Sequence, residues 1–304
     1  MTIKVTLDVV IASLVFLAVT LVAGNNLSAC VGPVIGARIL TKRKGALLGI
    51  AGFATGLLVQ GSGMTHAVGF LLPNATAQLQ VEALLVAIAI FVIAHLIRVP
   101  MSLSMSLVGL LAGLSVARGM TAGMSFVAEV AVMWVVAPVS AALLAFYIIR
   151  IINRRKIKDI WHRIRLYKGL LLVLSFTTAY VSGANTLSLI VATGGFEVAT
   201  VIAAITGIII GSLFLGEGAI RRISQEFYMM RYSNATITLG ASTILVETAA
   251  VLHIPLSITQ TTAAAVLGTG LSYKAKFMSL KPFLTIVVGW IIAPLLSFTI
   301  GLLL

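Results

Sequence analysis

The sequence predicts an all-α integral membrane protein: about ten transmembrane segments in two inverted-topology repeats of five, with broken helices at the midplane. Three observations predict this fold class, namely the composition, the placement of the basic residues and a pattern that recurs halfway along the chain. Of the 304 residues, 60% are hydrophobic and 10% are charged, whereas a soluble domain carries about a quarter charged residues. This composition excludes a soluble enzyme or a soluble binding protein.

Ten apolar segments follow one another and are separated by short polar stretches. A helix needs roughly 20 apolar residues to cross the hydrocarbon core, so these segments are candidate spans. If every segment crosses, the loops after the odd-numbered segments share one side of the membrane. The segments are residues 8–37, 45–72, 81–97, 100–117, 123–149, 169–194, 198–220, 234–252, 255–273 and 282–304.

The basic residues show which side that is. The loops after the odd-numbered segments hold 19 of the 21 lysines and arginines, and only Lys4 and Arg118 lie elsewhere. Cytoplasmic loops of membrane proteins carry an excess of basic residues. We therefore expect a multi-pass protein of the plasma membrane, with these loops in the cytoplasm and both termini on the outer side. The net charge of +13 then reflects orientation in a membrane, and it does not indicate nucleic-acid binding. Re-entrant hairpins at segments 1 and 6 would put Arg221, Arg222 and Arg231 outside, so the charge pattern disfavours them.

The two halves of the chain repeat four landmarks in the same order. Five spans per half is an odd number, so the second half must lie upside down relative to the first, as in the inverted repeats of secondary transporters. The landmark pairs are 134–138 with 290–294, 61–63 with 216–218, 100–104 with 255–259, and 22–28 with 181–188.

The repeats divide the chain into a first repeat (1–150), a basic cytoplasmic linker (151–168) and a second repeat (169–304). Isoleucines and Trp161 interleave with the basic residues of the linker. This pattern is typical of an amphipathic helix that binds lipid, and it fits an ordinary cytoplasmic connector equally well.

A polar motif interrupts the first apolar run, and a second copy interrupts the sixth. Residues 5–37 would form a helix of roughly 50 Å, against a hydrocarbon core of about 30 Å. Gly24, Asn25 and Asn26 are therefore the expected site of a break, and Gly183, Ala184 and Asn185 repeat it. Broken helices at matching positions of two halves indicate a transporter binding site near the bilayer midplane.

Segments 4 and 9 begin with a proline at an expected first helical position, followed by hydroxyl side chains. Free backbone N–H groups and the positive end of the helix dipole favour an anion at a helix start. Neutral amides and hydroxyls would bind the anion and still release it. The candidate substrate-binding residues are Asn25, Asn26, Ser28, Ser102, Ser104, Asn185, Thr186, Ser188, Ser257, Thr259, Gln260 and Thr261.

Few groups suit a coupling ion, a metal or a covalent reaction. Glu247 and Glu129 lie within apolar segments, where a carboxylate is a functional candidate by default. Asn26 and Thr186 are the other coupling-ion candidates. Cys30, as the single cysteine, excludes a disulfide framework, and the histidines show no metal-ligand spacing. We therefore predict no cofactor and no bound metal beyond a coupling Na⁺ or H⁺.

At these motifs the chain resembles the inorganic phosphate transporter (PiT) family. That family has two inverted copies of a Gly-Ala-Asn-Asp-type motif and helix starts of the type Pro-x-Ser-Thr-Thr. Here the motifs are residues 23–29 and 183–188, and the helix starts are residues 100–104 and 255–260. The resemblance implies a cation-coupled importer of phosphate or a similar oxyanion that works by alternating access. It also implies binding roles that fall on Asn25, Asn185, Ser102, Ser104, Ser257, Thr259 and Gln260.

The chain departs from the family pattern at several positions. Asn26 and Thr186 replace the two aspartates, Ala29 and Leu189 replace a later asparagine, and Leu103 and Ile258 each replace a threonine. Hard cations prefer charged oxygen ligands, so Na⁺ and H⁺ coupling both stay open. Fewer fixed negative charges would also tolerate sulfate.

The sequence therefore predicts a non-enzymatic permease of phosphate, or of sulfate with proton coupling, embedded in the lipid bilayer. A membrane-embedded enzyme lacks support, because the sequence has no HExxH motif, no paired catalytic aspartates and no Ser/His pair that the symmetry of the two halves brings together. A passive channel is the remaining alternative. A homodimer is compatible with the sequence.

Overall fold

The computed structural model describes residues 2–96, 102–120, 123–154, 160–216, 231–272 and 281–304. Within these ranges the chain is helical and forms no strand, as the composition predicts. Short 3₁₀ and π turns join or extend some helices. The α-helices are α1 (Thr2–Gly36), α2 (Lys42–Gln60), α3 (Met64–Leu71), α4 (Ala77–Leu96), α5 (Leu103–Ala117), α6 (Met124–Arg154), α7 (Ile160–Ser182), α8 (Ser188–Thr193), α9 (Val198–Ile210), α10 (Tyr232–Val251), α11 (Ile258–Leu271) and α12 (Lys281–Leu303).

Six helical stretches among the described residues are long and apolar enough to cross a membrane. Two other helices are too short to do so alone. α5 has 15 residues and α11 has 14, which correspond to about 22 and 21 Å against a core of about 30 Å. These two helices therefore begin inside the protein. The six stretches are Thr6–Gly36, Lys42–Leu71, Ala77–Ala94, Met124–Arg154, Ile160–Thr193 and Val198–Leu215.

The break predicted at residues 24–28 is absent, and that prediction is wrong. α1 runs as one helix of 35 residues through Gly24, Asn25 and Asn26. Gly24 instead allows close packing, since a Cβ there would lie 2.6 Å from the Leu215 Cβ and 2.9 Å from the Gly211 carbonyl oxygen. The polar groups of the motif find partners inside the protein, so the helix does not have to unwind.

The second motif widens its helix without breaking it. Residues Gly183–Leu187 form a π turn between α7 and α8, and helical structure continues from Ile160 to Thr193. A Cβ at Gly183 would overlap the carbonyl of Phe53, so close packing against α2 requires glycine here. π turns are rare and occur often at functional sites. Neither α1 nor the Ile160–Thr193 stretch reverses direction as a re-entrant hairpin would.

Matching segments of the two halves make matching contacts. α2 packs on α7, and α9 packs on α1; likewise α6 packs on α11, and α12 packs on α5. In each case a helix from one half crosses a helix from the other half. The core between these pairs is apolar, and Leu27, Leu107, Leu187 and Leu256 are all 0% exposed within it.

Glycines set the closest of these crossings. A Cβ at Gly56 of α2 would overlap the carbonyl of Tyr180 on α7, and a Cβ at Gly211 would overlap the carbonyl of Thr20 on α1. Gly52 and Gly207 stand four residues earlier, which makes both sequences GxxxG, the spacing that lets membrane helices approach closely.

Glycines also allow the close approach of α5 to α12 and of α6 to α11. A Cβ at Gly113 of α5 would overlap the carbonyl of Phe298 on α12, and one at Gly268 of α11 would overlap the carbonyl of Ala142 on α6. Gly268 follows Gly113 by 155 residues, as Gly211 follows Gly56. The repeated landmarks in the sequence therefore correspond to repeated helix crossings.

The basic linker is largely helical at its two ends. Residues 151–154 continue α6, and residues 160–168 begin α7. Trp161 is 75% exposed at this start. Residues 155–159 lie outside the described residues, as do Pro100, Glu217, Arg221 and Arg222.

Gly56→Ala and Gly211→Ala are each expected to destabilise the protein, by about 1–3 kcal/mol, because the added methyl group meets backbone that cannot move aside. Thermal unfolding of the purified protein in detergent measures this effect. Gly169→Ala is the control, since its Cβ would meet no heavy atom within 4 Å. Equal midpoints for the three variants would contradict the assigned crossings.

Candidate functional site

The two polar motifs meet at the centre of the protein. The Asn26 side chain on α1 donates through Nδ2 to the Ser182 hydroxyl at the end of α7, at 3.3 Å. Asn25 donates in turn to the Asn26 side-chain oxygen at 3.5 Å. Asn26 is 5% exposed and Ser182 is 0% exposed. The structure therefore brings together the two motifs that the sequence singled out, although 156 residues separate the bonded pair.

Asn185 holds an extended stretch of backbone in place. Its Nδ2 donates to the carbonyl of Ile254 at 2.8 Å, and its Oδ1 accepts from the N–H of Leu256 at 2.9 Å. Thr186 adds a 3.4 Å bond from its hydroxyl to the carbonyl of Leu256. Asn185 is 0% exposed, so the π turn presents it to the protein interior and not to lipid.

The extended stretch leads into α11 and corrects one prediction. The helix begins at Ile258, so Pro255 lies three residues before it and is not at the first helical position. Proline nevertheless suits this position, because it has no N–H group that needs a partner. The corresponding Pro100 lies outside the described residues.

α5 and α11 start in the same way, with paired hydroxyls. The Ser102 and Ser104 hydroxyls lie 2.9 Å apart, and so do those of Ser257 and Thr259. Ser102 and Ser257 occupy the N-cap positions, yet neither side chain caps its helix. The first-turn N–H groups have no intrahelical partner, so each start offers backbone donors beside a hydroxyl pair. Hydrogen bonds do not join the two starts to each other within the described residues.

Trp134 is a site residue that the sequence reasoning missed. Its indole N–H donates to the carbonyl of Pro255 at 3.0 Å, and its own carbonyl accepts from Gln260 Nε2 at 2.9 Å. α6 thus holds the start of α11 through two hydrogen bonds in addition to those made by Asn185. The sequence analysis used the motif around Trp134 as a repeat landmark only, because nothing in the sequence shows which helix it faces.

Gln260 carries a buried polar atom that forms no hydrogen bond. Its side chain is 2% exposed, and its Oε1 has no hydrogen-bond partner. The bond from Nε2 to the Trp134 carbonyl fixes which end of the amide is the oxygen. A buried acceptor without a donor is unfavourable, so Gln260 Oε1 is a position where a ligand donor would be stabilised.

Three other candidates bond to helices of the protein. The hydroxyl of Ser28 donates to the carbonyl of Asn25 at 2.8 Å, and that of Ser188 donates to the carbonyl of Gly183 at 2.7 Å. The Thr261 hydroxyl lies 2.7 Å from that of Ser242 on α10. Thr261 thus joins α11 to α10, whereas Ser28 and Ser188 stabilise the helical turns that precede them.

The two candidate carboxylates differ in position. Glu247 on α10 is half-buried, and its Oε2 has no hydrogen-bond partner. Glu129 is exposed on the surface of α6. In the described part of the chain no cluster of three or more His, Cys, Asp and Glu side chains could hold a metal ion.

The centre of the protein therefore offers neutral donors on short helices that start inside the membrane-embedded fold. Donors at helix starts of this kind favour a bound anion. The fold and the site define a membrane transporter, not an enzyme.

The chain belongs to the phosphate transporter family, whose pattern it matches over residues 22–194 and 164–301. This confirms the resemblance that the polar motifs indicated.

Two proteins show how far the likeness extends. A protein of Methanocaldococcus jannaschii that carries the provisional name of a phosphate permease is 24% identical over 305 residues, covering 98% of this chain and 96% of that protein. A solved structure titled the sodium-dependent phosphate transporter has a TM-score of 0.83, with 16% identity and coverage of 98% of both chains. That likeness shows a shared fold.

Asn185→Ala is expected to loosen the stretch before α11, because the Leu256 N–H loses its acceptor and the Ile254 carbonyl loses its donor. Hydrogen exchange at the Leu256 amide should accelerate about tenfold or more, since each unmade buried bond costs about 1–3 kcal/mol. Thr193→Val is the control, as the Thr193 hydroxyl bonds only to the Leu189 carbonyl of its own helix. Unchanged exchange at Leu256 would contradict the role given to Asn185.

Proposed function

We propose that the protein is a secondary active transporter that moves an inorganic oxyanion, phosphate ahead of sulfate, by alternating access. The observation that carries this proposal is the pair of uncapped helix starts, α5 and α11, each with a hydroxyl pair at 2.9 Å. Backbone N–H groups and the helix dipole favour an anion at such positions. The binding residues proposed are those of the two helix starts together with Asn25, Asn26, Asn185 and Thr186.

Gln260 supports phosphate over sulfate. At neutral pH phosphate carries at least one hydroxyl group that can donate a hydrogen bond, whereas sulfate has acceptors only. The buried Oε1 of Gln260 lacks a donor, so a phosphate hydroxyl would satisfy it and a sulfate oxygen would face it unfavourably. A site of this kind discriminates by leaving a buried polar group unpaired for the wrong ligand.

The repeated helix crossings support two inverted repeats of five segments. Each crossing between the halves has a counterpart in which the two halves exchange roles, and an odd number of segments inverts the second copy. Basic residues concentrated in one set of loops support cytoplasmic loops and outer termini in the plasma membrane. Alternating access then corresponds to movement of one set of crossed helices against the other.

Glu247 supports proton coupling ahead of sodium coupling. Asn26 and Thr186 provide no charge, and both side chains already bond to protein atoms. Glu247 combines a titratable group, partial burial and an oxygen without a partner. A proton on that oxygen would remove the charge that makes a carboxylate unfavourable in the membrane.

Asn25→Ala and Ser257→Ala are each expected to abolish uptake without loss of the folded protein, because each removes a proposed binding group. Counterflow in proteoliposomes with labelled phosphate and labelled sulfate measures this, with and without sodium or a pH gradient. Ser272→Ala, at the far end of α11, is the matched control. Undiminished transport in both site variants would disprove the proposed site, and wild-type preference for sulfate would disprove phosphate.

Glu247→Gln is expected to remove the acceleration of uptake by a pH gradient, because the amide cannot carry the proton. Exchange of internal for external phosphate should continue in this variant. Glu129→Gln, on the exposed face of α6, should keep the gradient response. A response to sodium alone in the wild type would assign the coupling ion to Na⁺ instead.

A further inference from the structure

A buried glycine in the second half of α1 borders open space inside the protein. A Cβ placed on Gly32 would meet no heavy atom within 4 Å, although Gly32 itself is buried. Gly69, Gly119 and Gly169 also have open space at this position, but each of them is exposed at the protein surface. The space beside Gly32 therefore lies in the interior, where proteins are otherwise close-packed.

This glycine lies on the face of α1 that carries the proposed binding group Asn25. Seven residues separate Gly32 from Asn25, which is two turns of helix and about 10 Å along the axis, so both point in nearly the same direction. α1 ends at Gly36, and the next residue, Ala37, accepts a hydrogen bond at 3.3 Å from the hydroxyl of Tyr232, the first residue of α10. The open space therefore lies between the proposed binding site and the end of the protein where α10 begins.

α7 and α10 run parallel to each other, and α1 runs in the opposite direction. The hydroxyl of Thr178 on α7 lies 2.7 Å from that of Thr243 on α10. One turn earlier on both helices, a Cβ at Gly240 would lie 3.8 Å from the Leu174 side chain. The start of α10 meets the end of α1 through Tyr232. Residues of the three helices can therefore be compared by their height along a common axis.

Two buried hydroxyls lie near the height of the open space. Ser175 and Thr238 are 0% exposed, and within the described residues their hydroxyl oxygens form no hydrogen bond. Heights can be counted from the bond between Asn26 and Ser182, at about 1.5 Å per residue. On this scale Gly32 lies about 9 Å toward the start of α10, Ser175 about 10 Å and Thr238 about 13 Å.

Open space and unpaired hydroxyls at similar heights favour a polar ligand over simple helix packing. A buried hydroxyl without a partner is unfavourable, and an apolar residue of the same shape would avoid that cost. Hydroxyls can donate to an oxyanion and accept from the water that accompanies it. We call the open space beside Gly32, together with Ser175 and Thr238, the inner chamber.

A hydrogen bond joins α1 to α10 beyond the inner chamber. Tyr232 is half-buried and donates to the Ala37 carbonyl. Asn234, which is 1% exposed, lies one turn before Thr238 on the same face of α10. Residues at the ends of the two helices therefore separate the inner chamber from the side on which the basic loops are predicted.

We propose that the inner chamber is the exit route by which the oxyanion passes from the site at Asn25 to the cytoplasm. The bond from Tyr232 to Ala37 closes this route in the conformation described. Movement of α10 away from α1 breaks the bond and opens the chamber, and the hydroxyls of Ser175 and Thr238 bind the oxyanion in transit. This proposal rests on the proposed function, because it names the release step of the same transport.

Thiol labelling tests whether the inner chamber opens to the cytoplasm. Gly32→Cys, made together with Cys30→Ala so that it supplies the single thiol, should react with a membrane-impermeant methanethiosulfonate reagent added on the cytoplasmic side. Val31→Cys is the control and should react more slowly, because Val31 is 0% exposed and faces Gly45 and Gly49 of α2. Equal reactivity of the two thiols, or reaction of Gly32→Cys from the outer side alone, would overturn the proposal.

Tyr232→Phe tests the closing bond. The variant lacks the hydroxyl that donates to Ala37, so labelling of Gly32→Cys from the cytoplasmic side should accelerate about twofold to tenfold, the factor that corresponds to one hydrogen bond. Tyr167→Phe is the control, since the Tyr167 hydroxyl accepts only from Arg163 of its own helix. An unchanged labelling rate in Tyr232→Phe would overturn the closing role given to this bond.

Thr238→Val separates a transport route from helix packing. The variant keeps the shape of the side chain and removes an unpaired hydroxyl, so the thermal midpoint in detergent should hold or rise. The maximal rate of oxyanion uptake should nevertheless fall about twofold to tenfold, whereas its ratio to KM should stay the same, because binding from outside precedes release. Thr248→Val, on the exposed face of α10, is the control. Unchanged maximal rates in both Thr238→Val and Ser175→Ala would overturn the proposal.

Labelling does not depend on transport, so failure of the exit route and failure of the proposed function can be distinguished. Unreactive Gly32→Cys in protein that still carries labelled phosphate would disprove the exit route alone. Wild-type protein that carries neither phosphate nor sulfate would disprove the proposed function, even where Gly32→Cys reacts.

Discussion

An extended stretch of backbone inside a membrane protein must find its hydrogen bonds within the protein, because lipid supplies none. Three side chains meet this requirement for the extended stretch before α11. Asn185 bonds both a carbonyl and an N–H, Thr186 bonds a second carbonyl, and the Trp134 indole bonds a third. The helix start that follows, with its free donors, can exist at this depth only because these residues satisfy the backbone that leads to it.

The same requirement explains why the site is made of amides and hydroxyls. Charged side chains would be costly here, whereas asparagine, glutamine, serine and threonine can donate and accept while neutral. In the proposed function, neutral groups would also leave the charge of the oxyanion to be stabilised by the helix starts and their dipoles.

Much of the architecture follows from sequence pattern. Hydropathy predicts ten apolar segments, and six helical stretches of the described residues are long and apolar enough to cross a membrane. The recurrence of the tryptophan–proline and glycine landmarks predicts the correspondence between halves. The polar motifs around Asn26 and Asn185 predict where the halves meet, and the bond from Asn26 to Ser182 joins them. These features depend on composition and spacing, which a sequence displays directly.

The backbone conformation of the polar motifs and the contacts between residues far apart in sequence could not be predicted in the same way. Gly24 was expected to break α1, but its role is to let two helices approach closely, and only the position of Gly211 and Leu215 reveals this. The partners of Trp134 lie 121 and 126 residues away, so no local pattern indicates them. The stacking of the His66 ring on the His253 ring is hidden for the same reason.

The glycine crossings join the two halves to each other more than each half to itself. α5 is covered by α12, the last helix of the chain, and α11 is covered by α6. During synthesis the glycine face of α5 therefore stays uncovered in the membrane until α12 has been made. Neither half covers these glycine faces by itself. Two polypeptides divided in the linker would therefore have to associate in the bilayer before the glycine faces of α5 and α11 are covered.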